Sequence, residues 1–239
     1  MARIFITGSS DGIGLAAAKL LADQGHAVVL HARNADRAAS TREAVPKAEA
    51  VLVGDLRSIV ETKDLAATAN ASGPPFDTVI HNAGIGYGAT SSREITADKI
   101  SAVFAVNTLA PYILTCLMAK PRARLLFMSS DSHYGGDETL RNVTQSHSYS
   151  DSKLHDVMLA NAFARRTKMG GSMAPGGMDK PAKVLAEWAV GQGKLVGLKS
   201  GAFCTTRGEE SAHSGAGNVH KQKELLQVCR GVSGVDTPE

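Results

Sequence analysis

Apolar and polar positions follow two different periods along the first two thirds of the chain. Short runs of apolar and β-branched residues predict buried strands at residues 3–7, 27–30, 50–53, 78–81 and 124–128. Between and after them, apolar residues recur on one helical face and predict helices at 12–25, 34–45, 58–71, 98–118 and 148–166. Strands that alternate with helices are typical of an α/β protein, so we predict a doubly wound parallel sheet with helices on both faces.

The last third of the chain has a weaker pattern. Residues 167–181 read TKMGGSMAPGGMDKP, which is rich in Gly, Met and Pro and has no β-branched run suited to a strand. A helix at 182–190, a short strand at 201–204, a loop at 208–219 and a last helix at 221–230 are predicted beyond it. Since no repeat or linker divides the 239 residues, we expect a single domain over 1–239.

Composition narrows the class of protein. The chain is 43% hydrophobic and 21% charged, which is ordinary for a soluble globular protein. A net charge of +3 without a Lys/Arg cluster argues against nucleic acid as a partner. No apolar run approaches the ~18 residues of a membrane span, and no export signal is evident, so we expect a cytoplasmic location.

Cysteine and histidine spacing gives no support for a metal site. Cys116, Cys204 and Cys229 are odd in number and far apart, which fits neither a disulfide framework nor a zinc site. The histidines at 133, 147, 213 and 220 also lack metal-ligand spacing. We predict no metal and interpret these four histidines as loop or surface residues.

The sequence TGSSDGIG, residues 7–14, joins the first strand to the first helix. Glycine is favoured where the backbone takes a positive φ or approaches another group closely. In this position, bare backbone amides and a helix N-terminus can bind a phosphate. The spacing of Gly8, Gly12 and Gly14 is neither GxGxxG nor a P-loop. We predict a dinucleotide diphosphate site, the alternative being a loop rich in glycine only because it turns.

Polar residues at the ends of the next strands are candidates for the rest of a nucleotide site. Arg33 follows the second strand with no acid before Asp36, which favours NADP(H), because an arginine pairs with a 2′-phosphate whereas an acid accepts the ribose hydroxyls of NAD. A solvated arginine is the alternative. Asp55 and Asn82 end the third and fourth strands; Asp55 could accept from an adenine amino group, and either residue could equally serve as a cap or turn residue.

Tyr149 and Lys153 are the candidate catalytic pair. Four residues apart on a helix, their side chains share one face. A nearby ammonium favours the phenolate and lowers the phenol pKa from about 10, so the pair could exchange a proton near neutral pH. The spacing alone is weak evidence, since it is common by chance. Tyr134 competes for the role, but Glu138 four residues on would disfavour a phenolate.

The ordered motifs resemble the short-chain dehydrogenase/reductase family. The resemblance rests on Thr7-Gly8-x-x-x-Gly12-Ile13-Gly14, Asp55-Leu56, Asn82-Ala83-Gly84, Asn107, Ser129-Ser130 and Tyr149-x-x-x-Lys153, and is dense over residues 3–166. It implies a Rossmann-type fold and hydride transfer between NADP(H) and a small-molecule carbonyl or alcohol. The implied cofactor-binding residues are Thr7, Gly8, Ser10, Gly12, Ile13, Gly14, Arg33, Asp55, Leu56, Asn82, Ala83, Gly84, Tyr149 and Lys153.

The same resemblance implies catalytic roles. Tyr149 would exchange a proton with the substrate oxygen, and Lys153 would hold the ribose and lower the tyrosine pKa. Ser130 would donate a hydrogen bond to the substrate oxygen, and Asn107 would help hold a water that links Lys153 to solvent. The long gap between Ser130 and Tyr149 is similar to the retinol-dehydrogenase-like branch. The family's fourth and fifth helices also imply a homodimer or homotetramer.

One departure from the family pattern follows the active-site helix. The family has a sixth strand there and a Pro-Gly turn that covers the nicotinamide, whereas ANAFARR here runs directly into TKMGGSMAPGG. We therefore predict that a strand's worth of residues is absent and that Pro175-Gly176 is the one candidate for the turn. This leaves an alternative function, a catalytically impaired relative that binds NADP(H) or partners without turnover.

Overall fold

The computed structural model describes residues 1–86, 94–145, 147–167, 169–174 and 179–238. Within these ranges eight strands are present: β1 (Arg3–Ile6), β2 (Ala27–Ala32), β3 (Ala50–Val53), β4 (Thr78–His81), β5 (Arg124–Met128), β6 (Gly171–Ala174), β7 (Phe203–Thr205) and β8 (Gly208–Glu210). They form one sheet in the order β3-β2-β1-β4-β5-β6-β7-β8. The chain therefore winds outward in both directions from β1, which confirms the doubly wound prediction.

The strand directions place the binding edge of the sheet. β1 pairs in parallel with both β2 and β4, and the parallel pairing continues through β5, β6 and β7. Only the hairpin of β7 and β8, among the described strands, is antiparallel. The strand order reverses at β1, so a crevice is expected beyond the carboxyl ends of β1 and β4.

Helices cover both faces of the sheet, as predicted. They are α1 (Gly12–Asp23), α2 (Ala35–Ala44), α3 (Ile59–Ala71), α4 (Ala102–Phe104), α5 (Ala110–Leu117), α6 (Tyr149–Thr167), α7 (Asp179–Ala189) and α8 (Val219–Ser233). α1 and α7 pack together on one face, where Ile4, Leu21 and Leu185 are fully buried. α3, α5 and α6 cover the other, with Phe127 and Phe163 stacked. Burial of these side chains from water stabilises the sheet between the two layers.

The continuous helix predicted over 98–118 is wrong. Lys99 has a positive φ of 61°, and Ser101 forms a bridge with Ile95, so the helix begins only at Ala102. A π-helical turn, Ala105–Leu109, then precedes α5, whose first turn contains Pro111. Proline lacks the N–H that an α-helical interior requires and fits best in a first turn. The turn holds Asn107 fully buried.

The prediction that no strand follows α6 is also wrong. Residues 171–174, GSMA, pair in parallel with β5 and β7 and are all buried. Small residues without β-branching carry little strand signal of their own, so tertiary pairing decides the conformation here. Ser172 Oγ is buried and has no hydrogen-bond partner among the described residues, which costs stability in the middle of a sheet. Pro175-Gly176 lie outside the described residues.

The remaining differences are at the C-terminal end and in the histidines. The predicted loop at 208–219 contains β8 and a short 3-10 turn, Ser214–Gly217. His133 and His147 are buried, 0% and 2% exposed, so neither is a surface residue: His133 lies in a 3-10 turn, whereas His147 does lie in a loop. Among the described helices none is both long enough and apolar enough to cross a bilayer.

Candidate active site

The glycine loop after β1 lies against the loop after β4. Gly8 has a φ of +61°, and a Cβ added there would lie 2.6 Å from the Cα of Ala83. A Cβ at Gly14 would lie 2.4 Å from Asn82 Nδ2. Gly12 also has a positive φ, +56°, but a Cβ there would meet nothing within 4 Å. Gly8 and Gly14 are therefore needed for packing of the two loops, whereas Gly12 borders open space at the start of α1.

Thr7 and Asn82 hydrogen-bond these two loops together. Asn82 Nδ2 donates to the carbonyl oxygens of Thr7 and Gly8, at 3.0 and 2.9 Å. Thr7 Oγ1 accepts from the backbone amides of Asn82 and Ala83, both at 3.0 Å. The two side chains thus hold the glycine loop against the loop after β4.

His31, at the end of β2, fixes the glycine loop from the other side. The amide of Gly8 donates to His31 Nδ1 at 3.0 Å, and His31 Nε2 lies 2.9 Å from the carbonyl oxygen of Gly54. These partners require the neutral tautomer with the proton on Nε2. Burial lowers the pKa of His31 against the opposing effects of Gly54 and Asp55, which keeps the ring neutral. Sequence reasoning missed this residue, because a histidine at a strand end has no general motif.

A cleft of ≈ 350 Å³ opens at the carboxyl ends of β1, β2, β3 and β4. Most of the predicted cofactor residues line it: Gly8, Ser10, Gly12, Ile13, Arg33, Asp55, Leu56, Asn82, Ala83 and Gly84. Thr7 and Gly14 lie behind the lining. The N-terminus of α1 faces this region, and Asp11 makes no side-chain cap to the helix but accepts from Arg37 at 3.0 Å. The cleft therefore contains the N-terminus of a helix, which is suited to an anion, and it is lined by three arginines and three acids.

Three arginines line this cleft, and their partners differ. Arg57 pairs with Asp55 at 2.9 Å and with Glu94 at 3.2 Å, while Arg37 pairs with Asp11. Arg33 is exposed and has no ion pair within the described part of the chain. Its charge is therefore the least compensated of the three. Arg37 and Arg57 were not predicted, because surface arginines are common and only the fold brings them to this edge.

The carboxylate of Asp55 accepts hydrogen bonds from the guanidinium of its neighbour Arg57. Burial acts to raise the pKa of Asp55, but hydrogen bonds and the charge of Arg57 outweigh it and hold the pKa below its usual range. Arg33 adds a smaller effect in the same direction. The carboxylate thus stays ionised at neutral pH, as an acceptor for a hydrogen-bond donor in the cleft.

The catalytic candidates lie beside the loop of residues 82–86. Lys153 Nζ lies 5.6 Å from the centroid of the Tyr149 ring. A Cβ at Gly86 would lie 3.7 Å from Tyr149 Cε2, and a Cβ at Gly84 would lie 3.4 Å from Lys153 Nζ. Since Gly84 also lines the cleft, the loop connects the candidate pair to the candidate nucleotide site. Tyr134, the competing tyrosine, donates its hydroxyl to the Ser211 carbonyl instead.

Asn107 joins the π-helical turn to the active-site helix and to the loop after β4. Its Oδ1 accepts from the amide of Ile85 at 2.9 Å, and its Nδ2 donates to the Ile85 carbonyl and to Ser152 Oγ. Ser152 Oγ in turn donates to the Tyr149 carbonyl at 2.7 Å. The side chain of Asn107 therefore fixes the start of α6 relative to the 82–86 loop.

The two serines after β5 differ in their contacts. Ser129 Oγ is buried and donates to the Lys153 carbonyl at 2.7 Å. Ser130 Oγ is half-buried, accepts from the amide of Ser132 at 3.2 Å and donates to Ser132 Oγ at 3.3 Å. Ser130 thus caps the 3-10 turn Asp131–Gly135, and that turn packs against α6. In this structure Ser130 thus caps the turn that follows β5.

A second cavity, of ≈ 210 Å³, lies at the opposite edge of the sheet. It is lined by residues at the amino ends of β5 and β6, including Arg124 and Gly171, and by Trp188. None of the predicted site residues reaches it. Open α/β sheets bind ligands at the carboxyl ends of their strands, so the cleft beside Gly8 is the stronger candidate.

Comparisons with known proteins identify the family of the chain. Residues 2–182 match the family model of short-chain dehydrogenases. An uncharacterized oxidoreductase, AN7799 of Emericella nidulans, is 73% identical over an alignment of 254 residues that covers 100% of this chain and 99% of the relative. Because this chain has 239 residues, the relative carries residues without a counterpart here. The short-chain dehydrogenase chry4 of Gibberella zeae is 34% identical, covering 100% of this chain and 99% of its own length.

Solved structures share the fold. A crystal structure of an uncharacterized protein from Mycobacterium paratuberculosis superposes with a TM-score of 0.81 at 21% identity, covering 100% of this chain and 96% of that one. The landomycin C-6 ketoreductase LanV, solved with bound NADP and rabelomycin, gives a TM-score of 0.65 at 22% identity, covering 85% of this chain and 94% of that one. At these identities the likeness concerns the fold alone.

Proposed function

The chain belongs to the short-chain dehydrogenase/reductase family, and from this premise we propose that it transfers a hydride between NADP(H) and a small-molecule carbonyl or alcohol. Because the chain belongs to this family, it is classed as an oxidoreductase. The observation that carries the finer proposal is the Tyr149–Lys153 pair beside the 82–86 loop, whose Gly84 also lines the cleft. Nucleotide cleft and proton-transfer pair thus meet at one loop.

The cleft residues fit a dinucleotide. The bare backbone at Gly12 and the N-terminus of α1 suit a diphosphate, because they present amides and the positive end of the helix dipole. Arg33, uncompensated among the described arginines of the cleft, suits a 2′-phosphate. The ionised Asp55 suits the amino group of an adenine. LanV, which shares the fold, was solved with NADP.

In the proposed reduction, a nicotinamide bound in the cleft would supply the hydride for the carbonyl carbon. Tyr149 donates its phenolic proton to the carbonyl oxygen, so an alcohol and a phenolate result. The Lys153 ammonium, 5.6 Å from the centroid of the Tyr149 ring, stabilises that phenolate by its charge. The Ser130 hydroxyl turns from Ser132 to donate to the substrate oxygen. Asn107 keeps α6 aligned with the 82–86 loop, and we keep its link to a water near Lys153 as a prediction.

A second candidate function is supported by the region around β6. The strand that stands next to β5 is short, consists of GSMA and contains the unpartnered Ser172 hydroxyl. A chain with an altered sheet next to β5 could bind NADP(H) or a partner and not turn over a substrate. Three further predictions stay untested: that the chain is similar to the retinol-dehydrogenase-like branch, that its substrate is a small carbonyl or alcohol, and that it forms a homodimer or homotetramer.

Replacing Tyr149 with phenylalanine tests the proposal. We expect Tyr149→Phe to reduce NADPH-dependent turnover by at least about 100-fold, the usual range for loss of a general acid. The affinity for NADPH should stay within about threefold, because the ring is retained. Turnover is measured with a carbonyl panel that includes acetophenone and 9,10-phenanthrenequinone, and binding by NADPH fluorescence. An unchanged rate contradicts the role of Tyr149, and NADPH binding without turnover in the wild type favours the second candidate.

A further inference from the structure

Asp156 is a buried carboxylate three residues beyond Lys153 on α6, and the proposed mechanism does not use it. Its Oδ2 lies 2.8 Å from Lys153 Nζ, and the two side chains are only 3% and 5% exposed. A buried charge is stable only if it is paired, because removing it from water is costly. Each member of this pair therefore depends on the other.

The contacts of the Lys153 ammonium restrict where it can act. An ammonium has three N–H donors. One donates to the Met128 carbonyl oxygen at 2.7 Å and another to Asp156 Oδ2. Among the described residues no third acceptor contacts the ammonium, so one donor remains for a group on the side of Tyr149 or for a nucleotide. Without the carboxylate, the long flexible side chain would be held by a single neutral acceptor.

The Asp156 carboxylate also changes the charge beside Tyr149. An isolated ammonium would favour loss of the phenol proton, whereas a carboxylate next to that ammonium opposes it. Among the described residues, Lys153 is the charged group that acts on Asp156. Burial raises the pKa of Asp156 to about 6 while Lys153 lowers it, so the carboxyl is ionised at neutral and alkaline pH.

Other ionisable groups around α6 do not replace this carboxylate. Burial lowers the pKa of the adjacent His155 well below its usual value, and it also lowers the pKa of His133 on the 3-10 turn that packs against α6. Those rings are neutral at the pH of interest. Asp131 on the same turn is exposed, Arg124 begins β5 at the end away from Met128, and β6 has no ionisable side chain. On α8, Lys221 and Glu224 pair with each other.

Resting on the proposed function, we propose that Asp156 is a positioning residue for the Tyr149–Lys153 pair. Its carboxylate holds the ammonium so that one N–H donor is left for the reacting groups, and its charge offsets that of the ammonium beside the phenol. Asp156 thereby sets both the place of Lys153 and the pH range in which the pair releases a proton.

Two substitutions separate these effects. Asp156→Asn keeps an acceptor oxygen but removes the charge, so the pair loses its first proton more easily, whichever of the two groups releases it. The pH at which the rate of alcohol oxidation rises should fall by about 1 unit, with the NADPH Kd within about threefold. Asp156→Leu also removes the acceptor, so the ammonium is no longer held and the NADPH Kd should rise at least about tenfold.

The experiment measures NADPH affinity by fluorescence titration and the pH profile of kcat/KM for NADP⁺-dependent oxidation of 1-phenylethanol or the best alcohol of a panel. Asp64→Asn, which removes one carboxylate from the exposed face of α3, is the matched control and should behave as wild type in both. The proposal is supported if the pH at which oxidation rises is lower in Asp156→Asn and NADPH affinity is lost only in Asp156→Leu. It is overturned if both variants keep the wild-type pH profile and the wild-type NADPH affinity.

Folding is checked first by circular dichroism and thermal unfolding. If Asp156→Leu does not fold, the pH profile of Asp156→Asn decides whether the proposal stands. If no alcohol is oxidised, the NADPH Kd of Asp156→Leu decides it. If neither variant folds, Asp156→Glu decides, since it keeps the charge and displaces the carboxylate by one methylene. A raised NADPH Kd then supports the proposal and an unchanged Kd overturns it. Tyr149→Phe tests the underlying function separately, because it leaves the Lys153–Asp156 pair intact.

Discussion

At the scale of single residues, we predict that the charge on Arg33 decides which nucleotide the cleft prefers. Arg37 and Arg57 already have carboxylate partners, at 3.0 and 2.9 Å, whereas Arg33 has no ion pair in the described ranges. A 2′-phosphate is a strong acceptor for a guanidinium. NADPH should therefore bind more tightly than NADH, which lacks that phosphate.

Removing the Arg33 guanidinium should erase this preference. We expect Arg33→Ala to raise the Kd for NADPH at least about tenfold, because a hydrogen bond between charged groups contributes about 1.5–3 kcal/mol. The Kd for NADH should change little. Both constants are measured by fluorescence titration, with Arg122→Ala as the control at the amino end of the sheet. Equal losses for both nucleotides, or no loss for either, would refute the assignment.

The sequence allowed some residues of the site to be predicted and left others out. Gly8, Asn82, Tyr149 and Lys153 were predictable, because each belongs to a local spacing that follows a strand or lies on one helix. His31 was not predictable, because its partners lie far from it in the sequence. Asp156 was not predictable either, because the sequence does not show that its carboxylate is buried beside Lys153. His31 contacts the glycine loop and the end of β3, and these segments meet only in the folded sheet. A single sequence carries no signal for such pairings.

At the scale of elements, the contact between the glycine loop and the loop after β4 is the feature on which the site depends. Gly8 and Gly12 have nearly the same positive φ, +61° and +56°, but only Gly8 lies against Ala83. This difference separates the effect of backbone conformation from that of close packing.

Alanine at these two positions measures that difference. Gly12→Ala should cost about 1–2 kcal/mol of unfolding free energy, the cost of a left-handed conformation for a residue with a Cβ. Gly8→Ala should cost clearly more, because its Cβ would meet the Ala83 backbone at 2.6 Å and one of the loops must move. Urea unfolding of the two variants gives both values. Equal costs would show that the loops adjust without strain and would contradict the close-contact interpretation.

Elements with strong periodicity were predicted well, and those fixed by tertiary contacts were not. β3, β4 and β5 have the predicted bounds, because each is a short apolar run between turns. β6 was missed, since GSMA becomes a strand only by pairing with β5 and β7. The π-helical turn at 105–109 was read as plain helix, because helical periodicity does not distinguish a turn that is wider by one residue.

At the scale of the whole molecule, the sheet order explains why the candidate site lies where it does. The order reverses at β1, between β2 and β4, and the cleft lined by Gly8, His31 and Asn82 opens beyond these strands. This arrangement follows from the alternation of strands and helices, so the sequence predicted it. β6 adjoins β5, which leads to Ser130 and whose Met128 carbonyl oxygen accepts a hydrogen bond from Lys153 Nζ.

The central claim is that this cleft binds a pyridine dinucleotide. Isothermal titration calorimetry of the purified full chain with NADPH, and separately with NADH, tests it most directly. We predict saturable binding of one NADPH per chain and weaker binding of NADH. Absence of binding heat for both nucleotides at several temperatures would contradict the account, because the glycine loop, Arg33 and Asp55 would then have no ligand in common.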